Sequence, residues 1–463
     1  MPGSRRPERV RRLLAAALLW AATARAAQAH ATEQGFVLLL PTDIYIAAGG
    51  AAVALTVLLL AVLPGHAALA AFRPVIPWRA RGPGWPARAG TLLAVPVLAW
   101  LVWQGWAGSR DPLGNPLTLA VWVVFWMALV GAQGLLGDIW ARINPWAGAA
   151  RLLSRLRARA PLRYPRALGH WPGVAGFLGF AAFLLADPAP ADPARLAIVT
   201  GGYALAMLAM VALFGRRWLV RGEALTLLMR AYARVAPAGR RDGRRALGLP
   251  GWRIAHGPQP APGHAVLLLL LLGSGSFDGL NETFLWLDLL AINPLEFPGR
   301  SAVIGPNLAG LALANAALIA VFAGALWLGA RLAGAPEGVV ALVCRFAPTL
   351  LPIALAYHIA HYLPSLLLDG QYVWAGIAKA LHLGHHHVSA GFLSSPGPVR
   401  AIWLTQAGVV VAGHVIALML AHVAALRAGQ SARRAALGQA PLALFMVAYT
   451  VFGLWLLATP RGA

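Results

Sequence analysis

The chain has very little charge, one cysteine and one lysine. Charged residues make up 11% of its 463 positions, against roughly a quarter in ordinary globular proteins. Together with 59% hydrophobic residues and a mean hydropathy of +0.67, this excludes a soluble domain. Cys344 has no partner, so there is no intrachain disulfide and no thiolate metal cluster; its expected role is buried packing. Soluble-enzyme signatures are also missing: there is no Gly-x-Ser-x-Gly elbow, P-loop, His-Glu-x-x-His or dinucleotide fingerprint. Lys379 is the single lysine among 38 basic residues. The arginines sit mainly in short loops between apolar runs, so the formal charge of +23 is explained by membrane topology and anionic lipid, not by a nucleic-acid partner.

What is there is a series of apolar runs. Residues 1–29 read as a secretory signal peptide, with Arg5, Arg6, Arg9, Arg11 and Arg12 ahead of an apolar stretch and Ala27-Gln28-Ala29 as the cleavage site. The mature chain, 30–463, reads as one all-α transmembrane helical domain. A span needs about 20 apolar residues, and ten candidates run over 44–63, 89–105, 117–137, 172–186, 196–214, 264–290, 307–330, 338–366, 400–425 and 439–457. With the mature N-terminus outside, the five inner loops carry four, seven, ten, one and three arginines, and the outer segments far fewer. Both mature termini are then expected outside a bacterial inner membrane. Two inner stretches, 146–159 and 218–235, read as amphipathic helices at the headgroup level or as solvated linkers.

The sixth span is expected to be broken. Its leucines at 267–272 give way to Gly273-Ser274-Gly275-Ser276-Phe277-Asp278-Gly279, and irregular backbone at membrane depth is tolerated only in a buried or wet setting. Seven of the thirteen histidines, His30, His358, His361, His382, His385, His386 and His387, fall on the outer side with Asp278, Glu282, Asp288 and Glu296.

His358 and His361 are three apart and share a helical face, which suits one metal ion or a pair of neutral imidazoles bonded to neighbouring helices. His382 with His385 or His386 forms a second cluster, a metal site or an exposed histidine-rich loop. Asp278 and Glu282 are spaced i, i+4, which puts both carboxylates on one face if the helix resumes there. Asp288 and Glu296 lie further out, as solvated or capping groups. Imidazoles with carboxylates suit Zn, Mn, Fe or Cu. His30 would be the mature N-terminus, where amine and imidazole together can chelate copper. His414, in the ninth span, is an extra ligand or a satisfied core residue.

Several segments together resemble bacterial membrane proteins of the fenitrothion hydrolase family. They are His30-Ala31 through Leu39-Leu40-Pro41-Thr42-Asp43-Ile44-Tyr45-Ile46-Ala47-Ala48-Gly49-Gly50, Gly137 to Trp146, Phe277-Asp278-Gly279-Leu280, and Tyr357-His358-Ile359-Ala360-His361-Tyr362. The resemblance spans most of the chain after the signal. It implies hydrolysis of an apolar organophosphorus triester at its aryl-oxygen bond, by a complex with a related membrane subunit, and it supplies no catalytic residues.

The residues themselves lead to a specific expectation. His358, His361, His385 and His386 with Asp278 hold one or two divalent ions, His382 and His30 are further ligands, and Glu282 orients or deprotonates the attacking water. Two other classes use the same residues. In a metal transporter the histidines load an ion and the broken helix is its path. In a haem electron-transfer protein His361 and His414 ligate iron.

Overall fold

The computed structural model describes residues 37, 40–79, 85–156, 160–384, 386–429 and 431–460. The signal-peptide reading, His30 and His385 lie outside the described residues. The architecture is an all-α helical bundle in a membrane protein, its apolar helices facing lipid. Nine helical segments among the described residues are long and apolar enough to cross a membrane.

In chain order the helices that matter here are α1 (Thr42–Val62), α2 (Trp85–Ala107), α3 (Pro116–Leu136), α4 (Trp171–Ala186), α5 (Pro193–Phe214), α6 (Ala224–Ala233), α7 (Pro262–Leu280), α8 (Ile304–Leu332), α9 (Leu351–Ala380), α10 (Pro396–Arg427) and α11 (Ala432–Ala458). The expected span not among the nine is the fourth, α4, whose 16 residues cover about 24 Å at 1.5 Å per residue, short of a full hydrocarbon core of about 30 Å. The eighth expected span is longer than its apolar pattern. Val339–Ala380 covers 42 residues, turned once through a 3-10 segment at Ala347–Leu350 beside Pro348, and α9 continues past residue 366 to Ala380.

Two expectations are corrected. The glycine-serine run does not break the sixth span, since α7 is helical from Pro262 to Leu280. The reason is packing. Ser276 Oγ donates to the Leu272 carbonyl within the helix at 3.0 Å, and Asn315 of α8 donates to Ser274 Oγ at 3.1 Å. Small side chains thus let α8 approach closely instead of opening the backbone. The chain leaves the helix after Leu280 and restarts at Thr283, whose Oγ1 accepts from Trp286 N to cap Phe284–Leu289.

The second correction concerns 218–235, expected as a surface helix. Within it, α6 is sunk into the bundle, with Leu227, Leu228 and Met229 all buried. Burying this segment requires its polar groups to be satisfied, and neighbouring residues do so. Glu223, fully buried, caps α6 by accepting from Leu225 N and Thr226 N. Thr226 Oγ1 accepts from Trp140 Nε1 at 3.1 Å and Asn144 Nδ2 at 2.9 Å. Gln133 Nε2 donates to Asp138 Oδ1 and to the Met229 carbonyl. The Gly137–Trp146 segment is therefore the socket for α6. The other stretch keeps its amphipathic character: in Pro145–Leu156, Trp146, Ala149 and Ala150 are buried while Leu152 and Leu156 are exposed.

Two arginine-rich loops meet in a small antiparallel sheet of order β1-β3-β2, with β1 Val75–Arg79, β2 Ala238–Arg241 and β3 Arg244–Leu247. It closes the arginine-rich end of the bundle. The core of the site lies toward the other end of α7.

Candidate functional site

The site is built where α9 crosses α7 and α3. From α9 come Tyr357, His358, His361 and Tyr362; from α7, Asp278; from α3, Trp126; from α6, Tyr232. His361 Nε2 stands 3.3 Å from Asp278 Oδ2, and the Tyr362 hydroxyl donates to the same oxygen at 2.5 Å. Both partners of this contact are largely shielded, with side-chain exposure of 8% for His361 and 16% for Asp278. One carboxylate thus orients an imidazole and a phenol together.

His358 does something else. It is buried, and its Nε2 donates to the Trp126 carbonyl at 2.9 Å. Its ring stands edge-on to Trp126 with centroids 5.0 Å apart and sits 4.9 Å from the Tyr362 ring. Trp126 belongs to an eleven-residue π-helical stretch, Leu119–Leu129, the kind of irregular turn that often marks functional sites. His358 and His361 therefore share a helix but diverge, one toward α3 and one toward α7.

Tyr357 stacks on His361 with centroids 5.8 Å apart and is buried. Its place depends on Gly279: a Cβ there would lie 1.9 Å from the Tyr357 hydroxyl. On the far side, Gly413 of α10 lets that helix close on α9, because a Cβ at Gly413 would meet the Pro352 carbonyl oxygen at 2.8 Å.

Beside the dyad is a cavity of about 30 Å³, walled by Phe177, Phe180, Leu184 and Leu185 as well as by the polar groups. It has room for one or two waters and is much smaller than the pocket of a drug-sized ligand, so neither an aryl phosphotriester nor a porphyrin fits inside it as packed. On the arginine-rich side of Ser274 the α7 face is closed by the buried leucines 267–272.

The other expected site residues are elsewhere. Glu282 lies beyond the end of α7, half exposed, and pairs with Arg300 at 3.3 Å. Arg300 in turn donates to the Leu184 and Asp187 carbonyls. The i, i+4 spacing with Asp278 did not place both carboxylates on one face because the helix ends between them, at Leu280. Asp288 and Glu296 are exposed.

His382, with φ +55, His386 and His387 are exposed beyond the end of α9, His386 resting on Trp374. From His361 to Ala380 the chain is one helix of 19 further residues, about 28 Å at 1.5 Å each. The two histidine groups are thus held apart by a helix where the sequence reading had a loop able to fold back. His414 is buried in α10, its Nδ1 donating to the Val410 carbonyl.

These positions bear directly on a divalent metal. Among the described residues no group of three or more His, Cys, Asp or Glu side chains is arranged to hold one. Asp278 and His361 supply two donors, whereas protein zinc sites take three or four, and His358 turns away from them toward Trp126 of α3. Among the described residues, the side chains at the dyad do not assemble the donor set of a resident metal.

Sequence reasoning missed Trp126, Tyr232 and the tyrosines flanking the histidine pair. Tyr362 had a signal, since it lies four residues after His358 and so on its face; Trp126 and Tyr232 had none within reach of local pattern. No protein-family model matches the chain, and neither the curated proteins nor the solved structures yield a match.

Proposed function

We propose that the protein is a membrane-embedded hydrolase in which His361, oriented by Asp278, is the general base. The observation that carries this reading is the shielded Asp278–His361–Tyr362 constellation beside a cavity of water size. Ionisable groups inside a membrane bundle are costly and mark functional sites, and a carboxylate-oriented imidazole is the common apparatus for taking a proton from water. The water oxygen attacks the electrophilic centre, its proton passes to His361, and the leaving group departs as an oxyanion. Tyr362, bonded to the same carboxylate, fixes the carboxylate's orientation.

The resemblance of the quoted segments to fenitrothion hydrolases supplies the substrate class: apolar aryl phosphotriesters, which partition into the bilayer. The phosphorus is presented at the Asp278 mouth while the aryl group takes the apolar wall near Phe180 and Leu184, which has to part to admit it. By the distribution of arginines the mouth faces outward from a bacterial inner membrane, and a related subunit completes the complex.

The leucine plug at 267–272 favours this reading over a transporter, because a conducted ion needs polar groups continuing inward. The test is nitrophenol release from a nitrophenyl phosphotriester by the purified protein in vesicles. His361→Gln is expected to lower the rate by roughly a hundredfold or more with the thermal transition unchanged. A wild-type rate in that variant, or no release by the wild-type protein, refutes the proposal.

A further inference from the structure

A larger cavity than the one at this site lies elsewhere among the described residues. It lies at the arginine-rich end, measures about 270 Å³, and is bordered by Arg234, Arg427, Arg345, Gln259 and Thr349. Its charge is not balanced. Arg345 is neutralised by Glu337 through two bonds, Nη1 to Oε2 at 2.6 Å and Nη2 to Oε1 at 2.7 Å. Arg427, exposed at the rim, donates one nitrogen to the Ala255 carbonyl.

Arg234 caps the end of α6 on the inner wall, and among the described residues no carboxylate or carbonyl holds its guanidinium. Its Nη2 packs over Gly257, where a Cβ would lie 2.6 Å away. Behind it Arg253 has Nε and Nη2 buried with no hydrogen-bond partner. The acidic group nearest Arg253 in effect, Asp138, is already engaged by Gln133 Nε2 and Ala141 N.

Burial holds the Arg234 guanidinium down to about 10, with repulsion from Arg253 adding to it. Partly buried cations are costly to hold close together, yet the fold collects two here beside a cavity with space for a guest. Basic pockets between helices at the inner face of a membrane protein are suited to phosphate-bearing head groups, and arginine's planar fork matches phosphate oxygens.

We propose that the cavity between Arg234, Arg427 and Gln259 is a binding site for a phosphate group, which Arg234 and Arg427 clamp from opposite walls. The phosphate comes either from an anionic lipid head group or from a free phosphate, and the binding is independent of the hydrolytic reading.

The test uses the full chain in phosphatidylcholine nanodiscs at fixed ionic strength. One arm titrates inorganic phosphate, and the other replaces part of the lipid with phosphatidylglycerol. A ligand that binds the folded state raises the thermal transition in proportion to its occupancy. The proposal expects a rise in at least one arm, the arm naming the source. It expects affinity to fall roughly tenfold in Arg234→Gln and in Gln259→Glu, which sets a carboxylate at the rim, and to stay at the wild-type value in Arg217→Gln, an exposed arginine outside the cavity. If Arg234→Gln does not fold, Gln259→Glu decides, since Gln259 is exposed. No rise in either arm, or undiminished affinity in Gln259→Glu, overturns the site.

Discussion

Two glycines four residues apart on α7 should respond oppositely to the same substitution. A Cβ at Gly275 would lie 3.8 Å from Tyr357 Cδ1, an ordinary contact, whereas a Cβ at Gly279 would lie 1.9 Å from the Tyr357 hydroxyl and 3.1 Å from Cζ. Gly→Ala inside a helix is favourable by up to about 1 kcal/mol through propensity alone, and Gly275→Ala is expected to gain some of it. Gly279→Ala has to push Tyr357 by roughly 1.5 Å to restore van der Waals distance. Tyr357 is buried and stacked on His361, so the displacement passes to the base. Overpacking of this kind costs about 1–3 kcal/mol, which outweighs the propensity gain. Misplacement of a catalytic group by about 1 Å can cost a hundredfold in rate. Thermal unfolding in detergent and nitrophenol release in vesicles measure the two effects. Equal stability and equal rate in the two variants would refute the placement of Tyr357 and the claim that it positions His361.

Two further outcomes follow from the same geometry. Exhaustive chelation is expected to leave the hydrolytic rate intact, and so is replacement of His382, His386 and His387 by alanine, because the dyad offers only two donors and those histidines lie a long helix away; a rate abolished by chelator and restored by one metal would reinstate a metal mechanism. Acidification from about pH 7 to about pH 5 is expected to destabilise the protein. Burial, with Arg221 and Arg230 nearby, holds the His170 pKa below its ordinary 6.5, so the unfolded chain binds the proton first and stability falls as pH drops below that value. His170→Phe should reduce this dependence of the thermal transition, and an unchanged slope would contradict it.

The membrane bundle was legible in the sequence because apolar runs and arginine-rich loops each report on the bilayer directly. The site was legible in part. Asp278 and His361 stood out as ionisable residues at membrane depth, and they do meet. What local spacing could not reveal was the end of α7 at Leu280, which separates Glu282 from Asp278, or the extension of α9 to Ala380, which carries His382 and His386 away. Both depend on tertiary packing: the small residues of α7 remain helical because α8 covers them, and α9 outruns its apolar pattern. Likewise 218–235 has the pattern of a surface helix, but α6 is buried because Glu223, Thr226 and Gln133 satisfy its polar groups. The contribution of Tyr232 and Trp126 to the site follows from that burial, and no periodicity announces it.

The central claim is that Asp278 orients His361 for proton abstraction, and the rate of Asp278→Asn tests it most directly. Asparagine keeps the shape and loses the charge, so the account predicts a folded protein whose nitrophenol release falls roughly a hundredfold or more. A variant that releases nitrophenol at the wild-type rate would contradict it.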